Sequence, residues 1–334
     1  MSRVEDRSHY RLPAEWERQS ALLLTWPNPD GAWSGNLDAI ESDYVELVEA
    51  ALRHQRVVLL VPKGSRRDRD RLGEDRPGLH RIELRYNDTW IRDYGPITLC
   101  RAGQRMALDF HFGGWGGKHE YGLDNLVNTH LARHSLFDDI EFRQCHLEIE
   151  GGAIECNGDG VLLVNRHCMR TRMPFLDDAE LDHELARWLN LKKVLGIDVE
   201  PLPGDDTDGH IDTLARFVRR DAIAFQSLGD GAATRELNGQ LEALRDVDGR
   251  PFELFSLPHP DDTDPQLPAS YANFILINGA VLVPQYGSRF DAEALDRMAQ
   301  LFPDRTVEPV PGATLTTQGG GPHCASMQIP TALN

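Results

Sequence analysis

Loops rich in Gly, Asp and Asn recur along the chain at a regular interval, and this regularity constrains the fold more than any other feature. The loops begin near residues 88, 148, 206, 270 and 318. The interval is therefore about 60 residues, which is longer than the period of a simple solenoid repeat. An interval of this length suits a supersecondary unit that contains a helix. The sequence thus predicts a chain of several similar units.

Each unit contains short apolar segments joined by a tight turn. Asn157-Gly158 and Asn278-Gly279 are strong hairpin signals, because Asn-Gly adopts the turn whose twist matches two antiparallel strands. Further turns are predicted at Ala102-Gly103 and at Arg219–Asp221. We predict strands on both sides of each turn.

Helical periodicity appears between the predicted hairpins. The segments 173–190 and 289–305 have apolar residues at helical spacing, and the second helix stops at Pro303. The segment 37–55 shows the same periodicity, and the apolar run 57–62 predicts a buried strand. Three strands and one helix, repeated about five times, indicate a closed, radially repeated α/β structure with the loops at its centre. An ordinary doubly wound α/β sheet is the alternative.

The charge of the chain narrows the choice of partners. A formal net charge of −18 over 334 residues argues against nucleic acid and anionic membranes, because phosphate binding needs a basic face. It suits a cationic ligand, although solubility alone also explains it. No apolar run approaches the roughly 20 residues that cross a membrane. The segment 1–20 lacks the apolar stretch of a signal peptide, so we expect a cytoplasmic protein.

The cysteines argue against disulfides and against structural zinc. There are five, an odd number in a long chain without an export signal, where a disulfide framework is not expected. No CxxC pair is present, which removes the usual structural zinc pattern. We assign four of them to core or strand positions: Cys100, Cys145, Cys156 and Cys168.

Four of the recurring loops carry residues that could take part in catalysis or in binding. Each residue alone has a structural explanation, such as a turn or a solvated strand end. Together, on corresponding loops of a repeat, they favour one shared site. The candidates are Asp88, Trp90 and Asp93 in the first loop, Glu148 and Glu150 in the second, Asp205, Asp206, Asp208, His210 and Asp212 in the third, and Cys324 after three glycines in the last.

A metal site is the first alternative for these residues. The run DTDGHID, residues 206–212, resembles an oxygen-rich ion site. It lacks the glutamate that closes an EF-hand loop, and it turns directly into a predicted strand. His210 and Asp212 stand two apart at the start of that strand, so their side chains would share one face and allow a mononuclear metal site.

Covalent catalysis by Cys324 is the second alternative. A cysteine nucleophile reacts as its thiolate and needs an acid–base partner such as a histidine. A single Cys with a distant His and Asp is a recognised pattern of this kind. The additional carboxylates exceed what a cysteine protease needs. They suit a planar, delocalised cation, because a guanidinium presents five donors in a fork that two carboxylates can grip.

Four motifs, in order along the chain, resemble those of a known family. They are WIRDYGP (90–96), EGGAIE (150–155), DTDGHID (206–212) and GGGPHC (319–324), preceded by LTWPNPDGAW (24–33). This set is similar to the agmatine deiminase and bacterial-type peptidyl-arginine deiminase family of the guanidine-modifying (pentein) superfamily. The resemblance covers nearly the whole chain. It implies a single domain with a five-bladed, pseudo-fivefold α/β propeller fold and a central active site, and we place that domain at 1–334.

The resemblance also implies roles for the residues at the centre of the site. Cys324 would be the nucleophile and His210 the general acid and base. Asp93 and Asp212 would hold the guanidinium, and Glu150 would assist beside His210. The family uses no cofactor, so we expect none, and we expect no catalytic metal.

Recognition of the rest of the substrate is implied for a second group of residues. Trp90 would wall the aliphatic part of the substrate, and Asp88, Asp206 and Gly321 would complete the binding site. Asp206 stands where agmatine deiminases usually carry the longer Glu. His323 adjoins the nucleophile, but successive residues on an extended backbone point in opposite directions, so we expect a structural role for it.

The function implied by the resemblance is that of a hydrolase acting on C–N bonds in linear amidines. Agmatine would be converted to N-carbamoylputrescine and ammonia through a covalent cysteine thiouronium species, as a step of polyamine metabolism and putrescine biosynthesis. Deimination of arginine, free or in peptides, is the main alternative. An amidinotransferase and a non-enzymatic binder of polyamine-like cations are two further ones. We expect a small cationic guanidine as the partner, no nucleic acid and no membrane, and we allow for a homodimer.

Overall fold

The computed structural model describes residues 9–229 and 231–333, and its strands form five small sheets. The strands are β1 (Gln19–Thr25), β2 (Val57–Pro62), β3 (Leu79–Leu84), β4 (Ile97–Arg101), β5 (Gln104–His111), β6 (Ile140–Glu148), β7 (Ile154–Cys156), β8 (Val161–Asn165), β9 (Lys193–Ile197), β10 (Ala215–Arg219), β11 (Ala222–Gln226), β12 (Glu253–Leu257), β13 (Ile275–Ile277), β14 (Ala280–Gln285), β15 (Thr306–Pro311) and β16 (Ser326–Pro330). The helical segments are α1 (Leu37–Leu52), α2 (Arg67–Leu72), α3 (Ile91–Tyr94), α4 (Gly114–Gly117), α5 (Val127–Leu131), α6 (Arg166–Arg172), α7 (Asp178–Leu189), α8 (Ile211–Leu214), α9 (Gly231–Ala243), α10 (Asp291–Leu301) and α11 (Ala313–Thr316).

Four of the sheets share one connectivity. Their strand orders are β4-β5-β6, β7-β8-β9, β10-β11-β12 and β13-β14-β15. In each sheet the first strand is antiparallel to the second, and the second is parallel to the third. A parallel pair needs a crossover connection, and α5, α6 with α7, α9 and α10 lie in these connections. This is the predicted unit of three strands and one helix.

The remaining sheet is assembled from both ends of the described chain. Its order is β16-β1-β2-β3. β16 is antiparallel to β1, with Leu24 opposite Ser326, and β1 is parallel to β2, with Leu22 opposite Val57. The crossover between β1 and β2 contains α1, so this sheet repeats the plan of the others with β3 added. The α/β class is confirmed, and a single doubly wound sheet is excluded by the five separate ones.

The predicted turns and helices also lie where the sequence places them. Ala102-Gly103, Asn157-Gly158, Arg219–Asp221 and Asn278-Gly279 each fall at the turn between the first two strands of a sheet. The predicted helices correspond to α1, α7 and α10, and the run 57–62 is β2. A capping box between the side chains and backbone N–H groups of N-cap and N3 residues begins α7, which satisfies donors that a helix leaves free at its start.

The middle strands of two sheets are buried on both of their faces. All five residues of β8 and all five of β11 are buried, as expected for strands that have a parallel partner and are covered on both faces. Burial of one such Leu or Ile side chain contributes about 1.5–3 kcal/mol to folding. The central strands therefore act as a rigid frame for the loops at their ends.

One local prediction is wrong. The sequence places His210 and Asp212 at the start of a strand, whereas His210 is the N-cap residue of α8 and β10 begins only at Ala215. Asp208 and Gly209 have φ angles of 64° and 85°, so the chain changes direction just before α8. The side chains of His210 and Asp212 therefore come together through a helical turn and not through a shared strand face.

Two further predictions concern the ends and the compartment of the chain. We expect no signal peptide in the segment 1–20, of which residues 1–8 lie outside the described residues. Asn334, the last residue of the predicted domain, also lies outside them. Within 9–229 and 231–333, no helix is long and apolar enough to cross a bilayer. The five cysteines are all free thiols.

Candidate active site

Five loops of the repeat bring polar side chains to one buried site. Asp93 lies in α3 before β4, Glu150 lies before β7, and His210 lies before α8 and β10. Asn273 lies before β13, and Cys324 lies before β16. Each loop thus precedes the first strand of its sheet. Because the sheets share one connectivity, equivalent loop positions meet at the same place.

The Cys324 thiol is buried among an amide and a carboxylate. Its side chain is 6% exposed. Sγ lies 3.2 Å from Nδ2 of Asn273 and 3.6 Å from Oδ2 of Asp212. Burial raises the pKa of the Cys324 thiol well above its usual value, and the charges of Asp212 and Asp93 raise it further. The thiol is therefore protonated until a positive charge enters the site.

His210 is held between two carboxylates and is fully buried. Its Nε2 lies 2.9 Å from Oε2 of Glu150, and its Nδ1 lies 3.6 Å from Oδ1 of Asp93. Burial alone would lower the pKa of His210, but Asp93, Cys168 and Glu150 together raise it well above the usual value. The imidazole is therefore a cation with a proton on each nitrogen, and it can act as an acid.

Glu150 is fixed from behind by a buried arginine. Nε of Arg172, in α6, donates to both Glu150 oxygens at 2.7 and 3.0 Å. Arg172 also donates to the backbone oxygen of Thr207 at 2.8 Å and to Oδ2 of Asp208 at 2.7 Å. Burial would raise the pKa of Glu150, but His210 and Arg172 keep it below its usual value. Glu150 is therefore a carboxylate that orients the imidazolium.

Asp93 receives two hydrogen bonds that leave it facing His210. The backbone N–H of Gly152 donates to Oδ1 at 3.0 Å, and the indole N–H of Trp115 donates to Oδ2 at 2.9 Å. Burial raises the pKa of Asp93 to about 6, even though the charge of His210 opposes the shift. Asp93 is thus ionised at neutral pH and loses its charge in mildly acidic solution.

Asp212 is anchored by a histidine that bridges two carboxylates. Nδ1 of His323 lies 2.7 Å from Oδ2 of Asp212, and Nε2 lies 2.8 Å from Oε2 of Glu15. Nη2 of Arg216 donates to the same oxygen of Glu15 at 2.7 Å. Burial would raise the pKa of Asp212, but His323 lowers it below the usual value. Asp212 therefore stays ionised next to the thiol.

The backbone around Cys324 is not extended, so the premise that the side chains of His323 and Cys324 point in opposite directions is wrong, while the structural role expected for His323 stays a prediction. Residues 322–325 form turns, and Oδ1 of Asn273 accepts from the backbone N–H groups of His323 and Cys324 at 2.9 and 3.4 Å. The side chains of Cys324 and His323 therefore both contact Asp212.

A glycine allows three charged groups of the site to approach one another closely. A Cβ atom on Gly152 would lie 2.6 Å from Nδ1 of His210, 2.8 Å from Oδ1 of Asp93 and 3.2 Å from Oδ2 of Asp212. Nδ1 of His210 and Oδ1 of Asp212 are buried without a hydrogen-bond partner. Buried polar atoms are normally paired, so these two atoms are the ones that a polar ligand of the site would bind.

Glycines also shape the turn that carries the thiol. A Cβ atom on Gly320 would lie 2.5 Å from the ring of Trp90, and one on Gly321 would lie 2.5 Å from Oδ1 of Asn273. The Trp90 ring, which is 5% exposed, also packs against Trp33 with the ring centroids 5.9 Å apart. Trp90 and Gly321 thus both lie at the turn that carries Cys324.

The remaining candidates lie outside the central cluster. Oδ2 of Asp206, whose side chain is 44% exposed, lies 2.6 Å from Nε2 of His119. Oδ1 of Asp88 accepts hydrogen bonds from the indole N–H of Trp33 and from the backbone N–H of Thr89. It lines an outer cavity of about 640 Å³ whose wall also includes Trp115 and His119. The structure therefore places Asp206 and Asp88 near the outer cavity and not at the thiol.

The sequence of the whole described site matches one family model. The Porphyromonas-type peptidyl-arginine deiminase family matches over residues 11–330. The chain belongs to this family. The match includes every residue of the central cluster, from Glu15 to Cys324.

Individual members and neighbours of this family agree with that assignment. A protein of Pectobacterium atrosepticum provisionally named an agmatine deiminase is 28% identical, with 97% of this chain and 95% of that protein covered. A solved structure provisionally named a peptidyl-arginine deiminase has a TM-score of 0.92 at 32% identity, covering 97% and 100% of the chains. A Cys-to-Ser variant of the Campylobacter jejuni agmatine deiminase with substrate bound has a TM-score of 0.89 at 31% identity, covering 97% of each. The pentein fold class is confirmed, and the radial placement of the five sheets stays a prediction.

The sequence missed several groups that complete this deiminase-family site. Arg172, Trp115 and Glu15 contact the predicted residues from other parts of the chain, and no local pattern marks them. Asn273 is different, because it lies in the loop near residue 270 that the repeat predicts. A search of that loop for a polar side chain would have found it.

Proposed function

We propose that this chain is an agmatine deiminase, which hydrolyses agmatine to N-carbamoylputrescine and ammonia. One observation carries the proposal. A buried thiol, Cys324, lies beside the carboxylate of Asp212, and Asp93, Asp212 and the acidic histidine His210 come together around Gly152, which has no side chain to keep them apart. The names of related proteins support agmatine as the substrate.

The two aspartates hold the guanidinium in this proposal. Asp93 and Asp212 both lie next to Gly152, and in this proposal the unpaired Oδ1 of Asp212 accepts one guanidinium N–H. A planar cation with donors on every edge is matched by two such carboxylates. Holding the central carbon in front of Sγ makes the reaction effectively unimolecular.

Attack by Cys324 is the first chemical step. Binding of the substrate cation lowers the pKa of the thiol, and the thiol proton leaves to solvent. The thiolate forms a C–S bond to the central carbon, and the guanidinium becomes a neutral tetrahedral adduct. Asn273 donates to the sulfur at 3.2 Å and steadies it before the attack.

His210 moves the protons of both later steps. Its imidazolium donates a proton to one adduct nitrogen, the C–N bond breaks, and ammonia leaves a positively charged thiouronium. The neutral imidazole then removes a proton from water as the oxygen attacks the same carbon. The neutral adduct then expels the thiolate, the hydroxyl proton of the adduct passes to the sulfur, and the ureido product and the free thiol result. Glu150, at 2.9 Å, keeps the ring in place throughout.

Arginine deimination is the second candidate, and the outer cavity favours it. The cavity of about 640 Å³ beside Trp115 and His119 has room for more than the four-carbon amine of agmatine. In our proposal Asp206 receives that amine, and Trp90 lines the aliphatic part. An arginine residue in a peptide would place its backbone in the same region.

Parallel assays separate the candidates. Ammonia and ureido product are measured with agmatine, free arginine and a peptidyl-arginine, and we expect kcat/KM to favour agmatine by at least about tenfold. Comparable rates on all three would contradict the agmatine assignment. Absence of product from all three would contradict a hydrolase, and added amine acceptor would then distinguish a transferase from a binder.

A single substitution tests the tail position. Asp206→Asn should raise KM for agmatine about three- to tenfold with kcat nearly unchanged, because an exposed charge pair contributes about 1 kcal/mol. Glu120→Gln is the matched control, since Glu120 also lines the outer cavity. Equal effects of both variants would argue against a specific role for Asp206. The cytoplasmic location, the homodimer and the place in putrescine biosynthesis stay predictions.

A further inference from the structure

Cys168 lies beside the acid–base pair but has no part in the proposed reaction. It is in α6, fully buried, and its Sγ lies 3.5 Å from the backbone oxygen of Thr207. One ligand atom each of Glu150, Cys168 and His210 lie within 4.8 Å of one another. We propose that Glu150, Cys168 and His210 form an inhibitory binding site for Zn²⁺. The inhibition rests on the proposed function, whereas the metal binding does not.

The donor set selects the metal. One thiolate, one imidazole and one carboxylate are all zinc ligands, while Mg²⁺ and Ca²⁺ prefer oxygen alone. Three protein ligands are also the number found in zinc sites that keep a fourth position for water or another small ligand. No local sequence pattern identifies this set of ligands, because they come from two loops and a helix.

The surroundings already have part of the arrangement of a zinc site. A ligating carboxylate is usually hydrogen-bonded, and Arg172 donates to Glu150 at 2.7 Å. A histidine that binds zinc usually also directs its other ring nitrogen at a carboxylate. Nδ1 of His210 has no hydrogen-bond partner and lies 3.6 Å from Asp93, so a small shift of either side chain would complete this contact.

The ligand spacing needs only a small adjustment. The His210 and Glu150 ligand atoms are 2.9 Å apart, as a shared proton requires. Two ligands at about 2.0–2.1 Å from a tetrahedral zinc are about 3.4 Å apart. The separation must open by roughly half an ångström, which small rotations of the two side chains provide.

The exchange of protons for metal keeps the local charge constant. Without metal, the imidazolium and Arg172 balance the carboxylates of Glu150 and Asp93. As Zn²⁺ enters, the Nε2 proton of His210 and the thiol proton of Cys168 leave to solvent, and one N–Zn, one S–Zn and one O–Zn bond form. The cation brings two charges, the thiolate cancels one, and the loss of the imidazolium charge cancels the other. Burial therefore does not oppose the exchange by adding net charge.

Zinc at this position would stop the proposed reaction. With Nε2 bound to metal, His210 cannot be the imidazolium that protonates the leaving nitrogen, and Glu150 no longer orients it. We therefore expect Zn²⁺ to lower kcat. Mg²⁺ should have no effect at the same concentration.

The experiment measures zinc binding and activity separately. The full chain is kept in a phosphine reductant and titrated with Zn²⁺ against a chromophoric zinc indicator. X-ray absorption at the zinc edge reports the number of sulfur ligands. Cys168→Ser is the test variant, and Cys100→Ser is the matched control, because Cys100 is equally buried in β4. Cys324→Ser distinguishes this site from one that uses the nucleophile.

The proposal predicts one zinc per chain with one sulfur ligand in the parent, in Cys100→Ser and in Cys324→Ser. Cys168→Ser should bind zinc at least about tenfold more weakly, since even outer-shell losses cost 10–100-fold. Unchanged affinity in Cys168→Ser, loss of the sulfur signal in Cys324→Ser, or no stoichiometric binding by the parent would overturn it. Zinc bound as predicted to a protein without deiminase activity would instead count against the proposed function alone.

Discussion

The hydrogen bond from Trp115 to Asp93 allows one prediction to be worked through quantitatively. Trp115→Phe removes the indole N–H that donates to Oδ2 of Asp93 at 2.9 Å. The ring of Phe retains most of the packing, since Trp115 makes edge contacts with Phe112 and His119 at centroid distances of 4.9 and 5.4 Å. Gly152 still donates to the other oxygen, so Asp93 should keep its orientation.

The expected change is in the pKa of Asp93. A hydrogen bond to a charged group contributes about 1.5–3 kcal/mol, and one pKa unit corresponds to about 1.4 kcal/mol, so the loss should raise this pKa by about one to two units. The parent value is about 6. Asp93 must be ionised to hold a guanidinium, so the activity is present above its pKa and is lost as the pH falls through it. The acid limb should therefore move up to about pH 7 or above.

The assay is ammonia release from agmatine as a function of pH. The pH profile of kcat/KM reports groups of the free enzyme, and it should show an acid limb near the pKa of about 6 in the parent. Trp188→Phe, on α7 away from the site, is the control and should leave the limb unchanged. Circular dichroism and thermal melting verify that each variant is folded.

Two results would refute the reasoning. An acid limb that stays in place in Trp115→Phe would mean that Asp93 is not the group that titrates. An equal loss of kcat/KM at every pH would mean that the indole positions the substrate and does not tune Asp93.

Three further substitutions test other contacts of the site. Cys324→Ser should lower kcat by at least about 10³-fold with an unchanged melting temperature, and substantial residual ammonia release would argue against the nucleophile assignment. Arg172→Met removes one of the two cations that contact the buried Glu150 carboxylate, so we expect up to about 3–5 kcal/mol loss of unfolding free energy in urea titrations, and an unaltered midpoint would contradict this. Gly152→Ala would place a Cβ 2.6 Å from Nδ1 of His210, and kcat/KM should fall about 10²-fold, as for a 1 Å displacement of reacting groups; near-normal kinetics would show that the close approach of His210 to Gly152 is not needed.

The repeat made much of the fold predictable. Turn chemistry marks its hairpins, as at Asn157-Gly158, and helical periodicity marks its crossovers, as in 173–190. Both are local properties, so a single sequence contains them. The pairing of β16 with β1 is not local, and no pattern in either strand identifies the other as its partner.

The candidate site divides in the same way. The predicted central residues, such as His210 and Cys324, stand in motifs with unusual Gly and charge content, and the structure brings them together. Their supporting partners do not stand in such motifs. Arg172 lies on a helix, in a charged segment whose sequence resembles an ordinary exposed face, and only the fold buries it against Glu150. The strand predicted for His210 failed because positive φ angles at Asp208 and Gly209 cannot be read from an Asp-Gly pair alone.

The pairing of β16 with β1 links catalysis to the timing of synthesis. The thiol lies two residues before β16, and β16 is held by a strand that is made some 300 residues earlier, as the Leu24–Ser326 pair shows. A nascent chain can fold its intermediate sheets in order from the N-terminal side, but the edge of β1 then stays open. Such a chain contains the carboxylates and His210, but it lacks the sulfur and the ring of His323 that anchors Asp212. Reactivity toward guanidines therefore begins in a single event, when β16 closes the sheet, and no partly made chain carries the reactive thiol in place.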